Sequence, residues 1–189
     1  MCRCVVLALL AVLVAAAPAA AAGDPRRGEQ WGLDLVEADA AHAVSQGAGA
    51  VVAIVDSGVQ ADHPDLAGRV GAGHDFVDGD ATPQDGDGHG THVLGVIAAA
   101  TGNGIGVASV APLATLMPVR VLGDDGSGTS ANVARGIDYA REHGADVINL
   151  SLGADVPLLG SGGEFDAAVR RALAAGIVVV AAAGNNGLP

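Results

Sequence analysis

The sequence predicts an α/β protein, a parallel sheet flanked by helices on both faces. Three observations carry this. Segments 50–56, 116–122 and 177–183 have strand length and are apolar almost throughout, as strands covered on both faces are, and 146–152 is a further segment of strand length. Helical patterns alternate with them, at 33–44, from His89 onward, at 129–143 and at 164–175. The chain has 189 residues and is 50% hydrophobic, enough for one domain with a sizeable core. Aromatic residues make up only 2%, so that core must be assembled from small side chains.

In chain order, residues 23–30 are a polar lead-in. Leu33, Val36, Ala40 and Val44 recur at helical spacing and predict one short surface helix. Ala50-Val-Val-Ala-Ile-Val-Asp56 is the first buried strand, closed by an aspartate. A turn follows at Asp62-His63-Pro64-Asp65, then a short strand within 73–77. The glycine-rich polar loop 85–88 leads into His89 and the apolar run 93–100, which predicts a helix starting at or next to His89. Loop 101–106 ends that helix. The second strand, the polar loop 123–128, the amphipathic helix 129–143 (Val133, Ile137, Tyr139 and Ala140 inward) and the remaining strand–helix–strand follow. Crossovers should be right-handed. The sequence has no repeats and no interdomain linker.

The formal net charge is −12, and every basic residue is arginine. An acidic chain argues against a nucleic-acid partner and for solubility or cation binding. Residues 1–22 read as a secretory signal: Arg3, an apolar core at 5–14, and Ala20-Ala-Ala22 as a cleavage site. A membrane anchor is the rival reading, but Pro18 and the alanine-rich end favour cleavage, leaving no stable span. Cleavage would remove both cysteines, Cys2 and Cys4, and take the charge to −13. The expectation is a secreted, extracellular domain over 23–189 with no obligate oligomer.

Two segments suggest chemistry. An aspartate at the carboxyl end of a parallel strand is where α/β sheets collect reactive groups. A histidine at a helix start meets the positive end of the helix dipole, which disfavours imidazolium and predicts a near-neutral ring able to accept a proton. Asp56 can fix that ring's tautomer and orientation.

Val-Ala-Ile-Val-Asp56-Ser-Gly-Val with His63-Pro64-Asp65-Leu66, Gly88-His89-Gly-Thr-His92-Val, and Ala181-Ala-Ala-Gly184-Asn185 resemble the aspartate, histidine and oxyanion-asparagine motifs of the subtilisin-like serine proteases, in the family's order. The resemblance covers residues 24–189 and implies a subtilisin-like fold, incomplete at its C-terminus. It implies peptide hydrolysis in which Asp56 orients His89, His89 takes the proton from a serine, and Asn185 donates to the oxyanion. Such donors contribute about 10²–10³ in turnover. It further implies a substrate cleft walled by Ser127-Gly128 and by Ser151-Leu152-Gly153, with an extended peptide or protein substrate pairing as an added strand. Ser130 would leave one pocket open for large side chains. Leu94 stands where the family usually has alanine and must find extra room.

The resemblance also implies a structural calcium ion (Ca2+) held by Asp65 and Asn103, near the loop at 101–106. A separate oxygen-ligand calcium site is readable in the acidic stretch Asp78, Asp80, Asp85 and Asp87. Gly128-Thr-Ser130-Ala imitates the family's serine motif but precedes Asn185, so Ser130 is rejected as nucleophile. The chain then lacks its nucleophile and is expected to be inactive by itself. There is also no room for an inhibitory segment between Ala22 and Trp31. Two rivals remain: a metal-dependent hydrolase using His89 and His92, three apart on one helix, and a non-catalytic secreted peptide- or calcium-binding protein.

Overall fold

The computed structural model describes residues 23–153 and 163–185. Five parallel strands form one sheet: β1 (Val51–Asp56), β2 (His74–Asp75), β3 (Thr115–Arg120), β4 (Val147–Leu150) and β5 (Val178–Ala181), in the order β2-β3-β1-β4-β5. The α/β architecture with helices on both faces is as expected from the sequence.

The apolar runs are explained by period-two alternation between two cores. On one face Ala53, Val55, Val119, Val121, Ile148 and Leu150 pack under α4 (Ser130–Glu142) and α5 (Glu164–Ala174). On the other, Val52, Ile54 and Leu116 pack with Leu66 and with Leu94 of α3 (His89–Ala98). Leu94 is fully buried, so the room it requires exists. Thr129 is the cap of α4, accepting the Asn132 N–H at 3.1 Å. Gly136 of α4 sits where a Cβ would lie 2.8 Å from Val121 Cγ1, so the helix is drawn close to the sheet.

The expected helix over 33–44 is two. α1 (Trp31–Leu35) and α2 (Ala38–His42) are separated by a left-handed residue, Glu37, at φ 55°. Leu33 and Ala38 turn inward onto Ala108, while Val36 and Val44 of the apparent stripe face solvent. The break brings Asp34 and Asp39 to one guanidinium, Arg27, at 2.5 and 3.0 Å. Helical spacing was satisfied here without a single helix.

On the α3 side, the described residues cover β1, β3 and, through Val147, the start of β4. Val178 and Val180 of β5 point to that side and are 56% and 48% exposed. Beside α3 lies an apolar groove lined by Trp31, Leu33, Val36, His92 and Val96.

Candidate active site

β1 ends on Asp56, which is fully buried, at the carboxyl edge of the sheet. Its Oδ1 accepts from the Ser57 N–H at 2.7 Å and from His89 Nδ1 at 2.7 Å. With a carboxylate as partner, Nδ1 carries the hydrogen, and Nε2 keeps its lone pair on the solvent side. The His89 side chain is 46% exposed, so a reacting group can reach it. The structure therefore brings Asp56 and His89 together as a dyad.

The near-neutral ring predicted from the helix dipole is corrected by this contact. The hydrogen bond to Asp56 raises the His89 pKa above its ordinary value; burial opposes it, and the charges of Asp56, Asp87 and Asp85 add to it. A carboxylate at hydrogen-bond distance outweighs the partial charge of a helix end.

The dyad is fixed from beneath by Asp85 and Ser57. Ser57 Oγ donates to Asp85 Oδ1 at 2.9 Å and accepts the buried Gly90 N–H at 2.9 Å. Asp85 also accepts from the Gly88, Asp87 and Thr91 N–H groups and from the Thr91 hydroxyl. Burial pushes the Asp85 carboxyl up, but these hydrogen bonds prevail and hold it below the usual carboxylate range. Gly90 and Gly58 meet so closely that a Cβ on Gly90 would overlap the Gly58 carbonyl oxygen. The strand end and the helix start are thus locked together.

β1 lies between β3 and β4, so Asp56 stands between the segments that leave those strands. After β3, Leu122 bridges back to Gly128, and the Gly123 N–H donates to the Ser127 carbonyl at 2.8 Å. After β4, residues 151–153 leave the sheet; Ser151 Oγ accepts from Asn149 Nδ2 at 2.9 Å. Asn185 is exposed in a bend after β5, preceded by Gly184 at φ 90°. It leaves the same carboxyl edge as Asp56.

A family model described as the subtilase family matches residues 47–189. This chain belongs to the subtilase family. Thermitase of Thermoactinomyces vulgaris is 53% identical over 84% of the chain and 55% of its own length. Subtilisin Savinase of Lederbergia lenta is 47% identical over 83% of the chain and 56% of its own length. Among solved structures, a protease from Pseudoalteromonas arctica superposes with TM-score 0.76 at 34% identity, covering 88% of the chain and 60% of that protein. A cold-adapted subtilisin-like serine proteinase gives TM-score 0.64 at 37% identity, covering 75% and 48%. The subtilase chain spans about half the length of these relatives.

The predicted calcium residues of this subtilase also meet. Asn103 Nδ2 donates to Asp65 Oδ1 at 2.8 Å, and Asp65 Oδ2 accepts the Val107 N–H at 2.8 Å. Asp24, absent from the sequence reading, joins them by accepting the Gly102 and Asn103 N–H groups. Asp24 and Asp65 are both buried, and neither has an ion-pair partner among the described residues.

Two sequence readings are overturned. The acidic stretch is engaged by the protein itself: Asp78 pairs with Arg120 at 2.6 Å, Asp80 accepts the Thr82 N–H at 2.7 Å, and Asp85 and Asp87 hold the start of α3. The metal-hydrolase reading lacks a donor set: His89 is paired with Asp56, and His92 lines the groove beside α1. Among the described residues no three histidine, cysteine or acidic side chains cluster to hold a metal.

Ser57, Asp85 and Asp24 were missed. Asp85, just before a helix start, carried a capping signal that could have been used. Ser57 reads as part of a turn, and Asp24 lies 41 positions before its neighbour Asp65, with no local pattern.

Proposed function

We propose that this chain is the acid–base part of a secreted serine endopeptidase. The single observation that carries the reading is the 2.7 Å contact between a buried strand-end carboxylate and an accessible imidazole. Asp56 holds Nδ1–H, so Nε2 takes a proton from a serine as it attacks a peptide carbonyl, and later returns it to the leaving amine. Asn185 supplies an oxyanion donor, and an extended peptide lies between 127–128 and 151–153. Ser130 is not the nucleophile in this reading, since it precedes Asn185 in the chain. Residues 1–189 alone then bind peptide without turning it over. Residues 1–22, outside the described ones, act as the export signal; no described helix is long and apolar enough to cross a membrane.

The test uses the full-length gene product with an extended peptide substrate and a serine-directed fluorophosphonate. Turnover and labelling are expected, and Asp56→Asn should lower kcat by about 10⁴. Residues 23–189 alone should take no label. Turnover unchanged in His89→Ala would reject the assignment, and peptide binding with no turnover in the full-length protein would leave a non-catalytic binder.

The carboxylates of Asp24 and Asp65 fit calcium, and Asn103, whose amide nitrogen faces Asp65 while its Oδ1 accepts the Ile105 N–H at 3.0 Å, would turn its amide over to offer the oxygen. Two buried carboxylates without a countercharge are costly, and a hard divalent ion with oxygen ligands would neutralise them. A Cβ on Gly106 would overlap the Asp65 carboxylate, so the loop needs its glycine to close around the site. The ion's contribution is structural, tying the lead-in to loop 101–106. Excess calcium should raise Tm, and Asp65→Asn should remove that response; a Tm indifferent to chelator would reject it.

A further inference from the structure

Arg120 closes β3, in register with Asp56 on one side and Asp75 on the other. Its side chain is 7% exposed and reaches three carboxylates: Asp75 at 2.7 Å and Asp78 at 2.6 Å through Nη1, and Asp124 at 2.8 Å through Nη2. Asp75 is itself fixed, accepting the Val77 and Asp78 N–H groups at 2.7 and 2.9 Å. The guanidinium is thus anchored to the β2 turn and holds Asp124 at arm's length.

Where it holds Asp124 matters. The Asp124 carboxylate lies against Gly86, so closely that a Cβ on Gly86 would overlap it. Gly86 sits between Asp85, which fixes Ser57 and Thr91, and Asp87, which accepts the His89 N–H at 3.0 Å. Loop 123–128 has three glycines and no buried side chain. A glycine-rich loop loses much entropy on ordering, and a peptide pairing with it must supply that unless it is ordered beforehand.

We infer that Arg120 is a positioning residue: braced by Asp75 and Asp78, it seats Asp124 on Gly86 and so fixes the substrate wall at 123–128 relative to the loop that enters His89. The substrate part of this inference rests on the endopeptidase reading above; the coupling of the two loops does not.

Two variants break the seat while leaving the guanidinium's contacts with Asp75 and Asp78 in place. Asp124→Asn removes the charge, and Gly86→Ala displaces the carboxylate from a site whose backbone accepts alanine. In the full-length gene product, each should speed amide hydrogen exchange at Gly123, Gly126 and Ser127, and at His89 and Thr91, by about tenfold. That is about 1.4 kcal/mol, in the range of one charge-assisted hydrogen bond. The double variant should behave like either single one, because both break the same link from Arg120 through Asp124 to Gly86. Arg120→Lys, a point charge that cannot fork between the two sides, should do the same. For an extended peptide, KM should rise about tenfold with kcat within about threefold, while KM for a single-residue ester stays constant. Lost folded fraction would lower both rates and leave both KM values unchanged.

Faster exchange at 123–127 with no change at His89 and Thr91, or additive effects in the double variant, would overturn the coupling. A KM rise shared equally by the short ester would overturn the role in substrate binding. A wild-type protein that cleaves no peptide would sink the endopeptidase reading, while the exchange data still decide the coupling.

Discussion

Deleting one hydroxyl, in Ser57→Ala, should loosen the whole dyad. Ser57 is buried, and its Oγ both donates to Asp85 at 2.9 Å and accepts the Gly90 N–H at 2.9 Å. Alanine leaves the buried Gly90 N–H without its protein hydrogen-bond partner. An orphaned buried donor costs about 1–3 kcal/mol. Asp85 loses one donor but keeps those from Gly88, Asp87 and Thr91, so that side adds about 1 kcal/mol at most. The expected loss is therefore about 2–3 kcal/mol, a fall in Tm of about 5–10 °C for a domain of this size. Ser45→Ala is the control: its hydroxyl only accepts the exposed Gly47 N–H at 3.2 Å, and should change stability by less than about 0.5 kcal/mol. Both would be measured by thermal and urea unfolding of the full-length protein. A Ser57→Ala loss no larger than that of Ser45→Ala would show that the Asp85–Ser57–Gly90 link does not hold the strand end to the helix.

Three further outcomes follow from the geometry. Because Asp56 raises the His89 pKa, the contact's stabilisation is full below about pH 6.5, the unfolded value, and lost as pH rises through the higher folded value; on the endopeptidase reading proposed above, activity needs the neutral ring and should rise over that same interval. An NMR titration of His89 should show the midpoint above about 6.5 and moving down in Asp56→Asn, and an unmoved midpoint would contradict the cause assigned to it. Gly136→Ala gains about 1 kcal/mol of helix propensity, but its Cβ meets Val121, Val55 and Val119 methyls at 2.8, 3.1 and 3.2 Å, and overpacking of about 1–3 kcal/mol should win; a raised Tm would refute that balance. Residues 23–189 prepared alone should self-associate through β5, and Val180→Lys should reduce the effect in sedimentation velocity; a monomeric wild-type preparation would refute it.

The sequence was most informative where burial leaves one option. A six-residue apolar run ending in aspartate can scarcely be anything but a central strand, and β1 runs from Val51 to Asp56 as expected. The glycine-to-apolar transition likewise located the start of α3 at His89. Reasoning failed where contacts between distant segments decide. The His89 pKa follows from a carboxylate 33 residues away, which overrides the local dipole. The helix over 33–44 broke because Leu33 and Ala38 must both reach Ala108. Arg120 lies inside the predicted strand 116–122, and nothing local announces that it also reaches Asp75 and Asp78, more than 40 residues away.

The short separation of Asp56 and His89 has a consequence for synthesis. Closing a loop of that length costs little entropy, and the side-chain contacts of Ser57 and Asp85 that brace the pair lie within residues 56–91. The Asp56–His89 pair can therefore assemble on the ribosome once β1 has neighbours. If the attacking hydroxyl arrives only with later residues, a nascent polypeptide carries its finished base for many seconds while still unable to cut itself or its surroundings.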